Sequence, residues 1–525
     1  MYSVISTAII NGIEGVCCSV EADISEGMPV FEMVGFLGSE VREARERVRT
    51  ALKNCGFHLP VKRITINILP AGLKKSGSGF DLPIAVALLV SMGVIVNNNF
   101  EHVFIVGELG LNGEIHGING ILSMVCGGKD KGMETFIVPM ENKKEAKLVP
   151  GITVVGVSSL SEVISYLNDG VLPEIKPISD ETTKNTTKQN NLESNDAPPE
   201  DLVADFSFVN GQLFVKRACE ICASGMHNIL MVGPPGAGKT MMARCIPSIL
   251  PEMTPKEQLM LSKVYSVCGL FKERESLMSQ RPFRAPHHTI STAGLTGGGG
   301  NVVRPGELSL ASGGVLFLDE LTEFRNETLE ILRQPLEEKV IHVTRAKGDF
   351  VFPANIVLAA AMNPCKCGYF PDFNRCTCNK MSVRNYLSKI SQPLLDRIDL
   401  CVQIQEVKFD EITTHATNET SARIRSRVEK VHEIQRQRYK NESFSYNSEI
   451  PSSKIEVYCE LDNESYLYMK KMYEEMALTA RTYHRILKVA RTIADMEGSE
   501  HICMAHLKEA FLYRSMDKKY WEKYL

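Results

Sequence analysis

The sequence predicts a multidomain α/β protein that ends in a helical domain, and three observations carry this prediction. The chain has 525 residues, and domains of ~100–200 residues imply three or four folding units. Between 171 and 204 the apolar pattern stops: the stretch ETTKNTTKQNNLESNDAPPED (181–201) offers almost nothing to bury. Beyond it, an apolar strand runs directly into a glycine loop and a helix, and from Thr413 onward the pattern is almost wholly helical.

The elements follow in order. In the N-terminal unit, 1–170, β-branched runs at 64–69 and 136–139 alternate with helical stretches such as 41–54, which predicts an α/β or α+β domain. The most apolar run, 82–96, is shorter than the ~20 residues of a bilayer span and is interrupted by Ser91 and Gly93, so it reads as a core helix. The start, MYSVIST, lacks a cationic region and a small-residue cleavage site, so a cytoplasmic, non-membrane protein is expected. Fifteen cysteines, an odd number, then point to reduced thiols rather than a disulfide framework. A net charge of −4 gives no global basic signature, so any nucleic-acid surface must be local. After the linker at 171–204 come a core at 205–408 and a helical domain at 409–525, with amphipathic segments at 421–439, 463–476, 480–497 and 505–516.

The glycine loop is the most specific signal. Gly233, Pro234, Pro235, Gly236, Ala237, Gly238, Lys239 and Thr240 satisfy G-x-x-x-x-G-K-[ST], between the strand 228–232 and a helix that continues through Met241. Glycines let successive backbone N–H groups face one concavity. Lys239 is expected to reach the β/γ-phosphates of ATP and Thr240 to ligate Mg²⁺. The apolar strand 315–318 ends in Asp319 and Glu320, which predicts a Walker B element: Asp319 for Mg²⁺, Glu320 to polarise the attacking water. A third apolar run, 356–362, ends at Asn363, a polar amide expected at the same sheet edge.

Cys365, Cys367, Cys376 and Cys378 put four thiols within fourteen residues around a Gly/Pro turn. Four thiolates can close a tetrahedral structural Zn²⁺ site, although C-x-C pairs are tighter than the usual C-x₂₋₄-C and free thiols are the competing reading. Cys219 and Cys222, on the helix before the phosphate loop, read as core packing. His287 and His288 have no ligand-like spacing and take no role.

With these residues in place, the chain resembles the magnesium-chelatase-like AAA+ ATPases of the ComM/YifB family, a helix-2-insert group related to the MCM helicases. The resemblance spans nearly the whole length and rests on RPFRAPHHT (281–289), PGELSLA (305–311) and TARTYHRILKVARTIAD (479–495). It implies an AAA+ P-loop core with a helical lid. Asn363 resembles the sensor-1 residue, Arg397 the arginine finger that reaches a neighbour's γ-phosphate, and Arg481 sensor 2. Each arginine taken alone is more often a surface ion pair. The resemblance further implies a homo-oligomer, a hexameric DNA branch-migration motor. In it the channel insert 289–308, with Arg304, and the pre-sensor hairpin 340–352, with Arg345 and Lys347, would face DNA. On a solvated hairpin these cations would be unremarked.

The N-terminal unit resembles the Lon protease domain through 64–69, PAGLKKSGSGFDLP (70–83) and GELGLNG (107–113). In that register the nucleophilic serine falls at Gly79 and the lysine at Leu122, with Ser78 one residue away, so the dyad that covalent catalysis needs is absent. An ATP-driven DNA translocase is therefore the leading expectation. A magnesium-chelatase motor subunit, an ATP-dependent protease and a nucleotide-dependent scaffold are the alternatives.

Overall fold

The computed structural model describes residues 1–96, 100–170, 204–271, 274–299, 303–345, 348–406 and 418–514. All of the expected linker except Ala204 lies outside these residues, as does Lys347.

The N-terminal part is built on a seven-stranded mixed sheet. Its strands run, in spatial order, Val30–Val34, Arg63–Leu69, Glu14–Ser25, Tyr2–Asn11, Val103–Ile105, Thr135–Pro139 and Thr153–Val157. The long antiparallel pair Tyr2–Asn11 and Glu14–Ser25 turns at Gly12, while the last three strands continue in parallel. The apolar run expected as a core helix is one, Asp81–Ser91, with ten of its eleven residues buried between the sheet and the helix Ser39–Asn54. Another helix, Ile121–Asp130, approaches the sheet so closely that a Cβ at Gly127 would stand 2.0 Å from the Gly15 carbonyl oxygen. Glycine is therefore a packing requirement there.

The second sheet has five parallel strands in the order Phe283–Arg284, Val315–Leu318, Val357–Met362, Ile229–Val232 and Leu400–Gln403. Every residue of the middle three is buried, as expected of a parallel sheet covered on both faces. The C-terminal helices Ser421–Arg438, Asn463–Glu475, Ala480–Met496 and Met504–Leu512 match the amphipathic segments to within a few residues. Their apolar faces belong to the same hydrophobic cluster as Ile229, Val402 and Cys219. The helical part is thus packed onto the sheet rather than hung from it.

The N-terminal sheet meets the second one through the helix Pro255–Cys268. Gly120 N–H donates to Ser266 O (3.0 Å), Ser266 Oγ to Glu145 (2.5 Å), and Lys263 pairs with Glu14 (2.6 Å). Two small hairpins project from the sheet: Gly297–Gly298 with Arg304–Pro305, and Val340–Arg345 with Gly348–Pro353. No helix among the described residues is long and apolar enough to cross a membrane.

Candidate nucleotide site

Register decides which side chains meet. Val232 pairs with Met362, and Leu318 lies beside Ala360, so the C-terminal ends of three buried strands open on one edge of the sheet. The chain leaves that edge as Gly233, Asp319 and Asn363. Open parallel sheets place their ligands at this edge, because there helix N-termini and loop amides face outward.

The phosphate loop folds over this edge with Gly236 and Gly238 at φ +75° and +86°, conformations that side-chain-bearing residues rarely adopt. Lys239 opens the helix Lys239–Ile249, and its ammonium donates to Gly233 O (2.8 Å), Pro234 O (2.8 Å) and Asn363 Oδ1 (3.0 Å). Burial pulls its pKa down, and the charges of Asp319 and Glu320 oppose that shift. Thr240 Oγ1 donates to Asp319 Oδ2 at 2.8 Å. A hydroxyl and a carboxylate so placed are hard oxygen donors of the kind Mg²⁺ takes with phosphate oxygens. Glu320 sits at φ +51°, its N–H bonded to Asp319 Oδ1 (2.9 Å), with its carboxylate projecting into solvent. Of the residues expected here, the structure brings Lys239, Thr240, Asp319, Glu320 and Asn363 together.

Two cavities flank the loop. One of about 490 Å³ is lined by Phe208, Gln212, Met241, Met242 and Glu406 beside the loop's Pro235–Gly238 face, and is large enough for a nucleoside. The other, about 370 Å³, is lined by Glu320, Asn363, Lys366, Tyr386 and Lys389. Met241 thus joins the loop, as expected. Phe208, Gln212, Glu406, Lys366 and Lys389 had no signal in the sequence, since no spacing rule connects them to the loop. His288, left without a role, has Nδ1 3.5 Å from Glu320 Oε2, and its ring is tilted by 34° against His287 with the centroids 4.0 Å apart.

The remaining residues lie elsewhere. Arg397 is buried and turned into its own chain: Nε donates to Arg333 O (2.9 Å), Nη1 to Pro393 O (2.7 Å), and Nη2 pairs with Glu337 (2.8 Å). Arg481 is exposed in the first turn of Ala480–Met496. Its neighbour Arg485 pairs instead with buried Asp399, which also accepts from the Asn228 N–H at 3.0 Å. Arg485, His227 and that N–H together hold the Asp399 carboxyl far below the usual range despite burial. Arg304 and Arg345 are both exposed, and Arg345 Nη2 comes within 3.4 Å of where a Cβ on Gly298 would stand. The two small hairpins therefore touch.

Cys365, Cys367, Cys376 and Cys378 have converged, all four Sγ atoms within 4.8 Å of one another. Cys219 and Cys222 are fully buried in the core, and burial raises both thiol pKa values. In the N-terminal part Ser78 Oγ donates to Glu108, and Leu122 is buried among apolar side chains.

Sheet order, phosphate loop and paired carboxylates define a nucleotide-binding module of the AAA+ kind. The chain belongs to the magnesium-chelatase-like family of ComM and YifB. It matches "Magnesium chelatase, subunit ChlI" over residues 205–412, "Subunit ChlI of Mg-chelatase" over 20–142 and "Magnesium chelatase, subunit ChlI C-terminal" over 418–514. Competence protein ComM of Haemophilus influenzae is 38% identical over 509 residues, 96% of each chain. The uncharacterized protein YifB of Escherichia coli is 37% identical over 519 residues, 98% of this chain and 97% of its own. Lon protease 2 of Bacillus subtilis is 28% identical over 140 residues, 26% of this chain and 25% of its own.

Proposed function

We propose that this chain is a ring-forming ATPase that moves DNA, as a branch-migration or helicase-like translocase. The observation that carries the DNA reading is the contact between the two hairpins: Arg345 lies against Gly298, on the strand paired with Arg304. Copies of this pair gathered around a ring axis would line one cationic passage. Such a surface neutralises backbone phosphates without reading sequence. Near full-length similarity to a protein named for competence supports the same direction.

In this reading Lys239 exchanges its carbonyl partners for the β/γ-phosphates of ATP, and Asn363, its third acceptor, is left facing the terminal phosphate. Thr240 and Asp319 would hold Mg²⁺, which supplies charge neutralisation at the phosphates. Glu320, exposed beside His288, orients and polarises the attacking water. Arg481 and Arg397 are the candidates for adding positive charge at the γ-phosphate. Arg397 must first give up Glu337 to reach a neighbouring subunit. With glycine and leucine at positions 79 and 122, the N-terminal part is read as a non-catalytic platform. The four clustered thiols are read as holding a structural Zn²⁺.

A second reading, a motor that drives metal insertion into a porphyrin, draws on the ChlI match itself. Unwinding of forked and four-way DNA junctions separates the two readings. Wild type is expected to be active and to lose activity with rising salt. Lys239→Ala is expected to lose nucleotide binding, and Glu320→Gln to bind ATP yet hydrolyse it about 10²–10³-fold more slowly. Wild-type protein inert on every DNA substrate, with ATPase activity indifferent to DNA, would remove the DNA reading and leave the ATPase.

A further inference from the structure

The four-thiol segment is packed against the nucleotide site at three points. Cys365 is fully buried and follows Asn363, the acceptor of Lys239, by two residues. Gly368, at φ +89°, faces the phosphate loop so closely that a Cβ there would stand 2.5 Å from Pro235 Cδ. Arg375, stacked 4.0 Å over the Tyr369 ring, grips Glu406 through two hydrogen bonds of 2.8 and 2.9 Å, and Glu406 lines the nucleoside-sized cavity.

The segment also has the geometry of a single metal ion. Sγ–Sγ separations are 3.3 Å for Cys365–Cys367, 3.5 Å for Cys367–Cys376 and 3.8 Å for Cys365–Cys376. Sulfurs about 2.3 Å from one tetrahedral Zn²⁺ would stand ~3.8 Å apart; these three separations lie at or just below that spacing, and all four sulfurs are within 4.8 Å of one another. They are too close together to surround a multi-iron cluster. Three of the four thiols are only partly buried, so packing alone does not account for their convergence.

We propose that this segment is a Zn²⁺ knuckle that props the phosphate loop through Gly368 and the cavity rim through Arg375, so that metal occupancy sets nucleotide affinity. The proposal rests on the zinc reading above and adds a consequence that zinc binding by itself does not carry. Without the metal, no covalent link closes the segment between Cys365 and Cys378. The contacts at Pro235 and Glu406 then lose their backing, while Lys239, Asp319 and Glu320 stay in place.

The test uses the full-length protein under reducing conditions, with total metal measured by atomic emission and binding of a fluorescent ATP analogue measured with Mg²⁺ restored after chelation. One zinc per chain is expected in wild type. Its removal, or Cys378→Ser, is expected to weaken nucleotide binding by roughly tenfold or more, since small misplacements of a binding loop have effects of this size. Adding ZnCl₂ should restore stripped wild type but not the serine variant. Gly368→Ala keeps all four thiols and should keep its zinc while binding nucleotide as weakly as the stripped protein, which decides the matter even where Cys378→Ser fails to fold. Wild type without stoichiometric zinc overturns the metal reading. Zinc whose loss leaves nucleotide affinity unchanged, or Gly368→Ala binding ATP like wild type, overturns the propping role and leaves the metal reading standing.

Discussion

At the scale of single residues, Arg397 shows how an expected role and an observed environment pull apart. Its position after both Walker elements suggests a side chain for a neighbour's phosphate, yet only 7% of it is exposed and its guanidinium satisfies the carbonyls of Arg333 and Pro393. Glu337 is half exposed, so that ion pair adds little on its own. Removing two hydrogen bonds from a charged donor leaves partly buried acceptors unmet, at a cost of about 1–3 kcal/mol. Arg397→Ala is therefore expected to melt several degrees below wild type in a thermal scan, in addition to any loss of hydrolysis. A variant that melts with wild type and yet hydrolyses nothing would assign this side chain wholly to the subunit seam. Lys239 presents no such conflict, because burial, loop and helix N-terminus agree on a site for an anion.

At the scale of elements, the helix Ser421–Arg438 is coupled to the helix that precedes the phosphate loop. His432 is buried, and its Nε2 donates to Ala223 O at 2.8 Å in the neutral form. Burial, with smaller contributions from Arg281 and Arg436, pushes its pKa down to about 4. The unfolded chain, with an ordinary histidine near 6.5, then binds more protons than the folded one between those values, so stability falls as pH drops through this window. The loss at pH 5 relative to pH 7 is about 2 kcal/mol. Comparing denaturation of wild type and His432→Gln at both pH values isolates it: the variant should lose less stability by that amount, and equal losses would show that His432 is not protonated on unfolding. The Cys365–Cys378 segment is likewise an element whose position, rather than its composition, ties it to the loop.

At the scale of the whole molecule, the N-terminal part touches the second of the two small hairpins as well as the helix Pro255–Cys268. A Cβ at Gly12 would stand 3.2 Å from Val351 O, so the turn of the first antiparallel pair rests on the Gly348–Pro353 strand. If Arg345 from several copies neutralises phosphates in one passage, Arg345→Ala should weaken DNA binding about uniformly across sequences and make log K less steep in log salt. An unchanged salt slope, measured beside sedimentation with and without a non-hydrolysable ATP analogue, would take Arg345 out of the passage.

Much of this was legible in the chain itself, since local rules act over a few residues. Glycines at fixed spacing set the loop, uninterrupted apolar runs set the parallel strands, and 3.6-residue periodicity set the four C-terminal helices within a residue or two at most ends. What the sequence by itself determined is thus the kind of elements and the chemistry at their ends. Only the tertiary structure decided which ends meet. It brought Phe208 and Glu406 to the loop, set His288 beside Glu320, turned Arg397 inward and laid Gly368 on Pro235. Those contacts depend on strand order and helix packing between residues far apart in the chain, and no spacing along the chain encodes a distance across it.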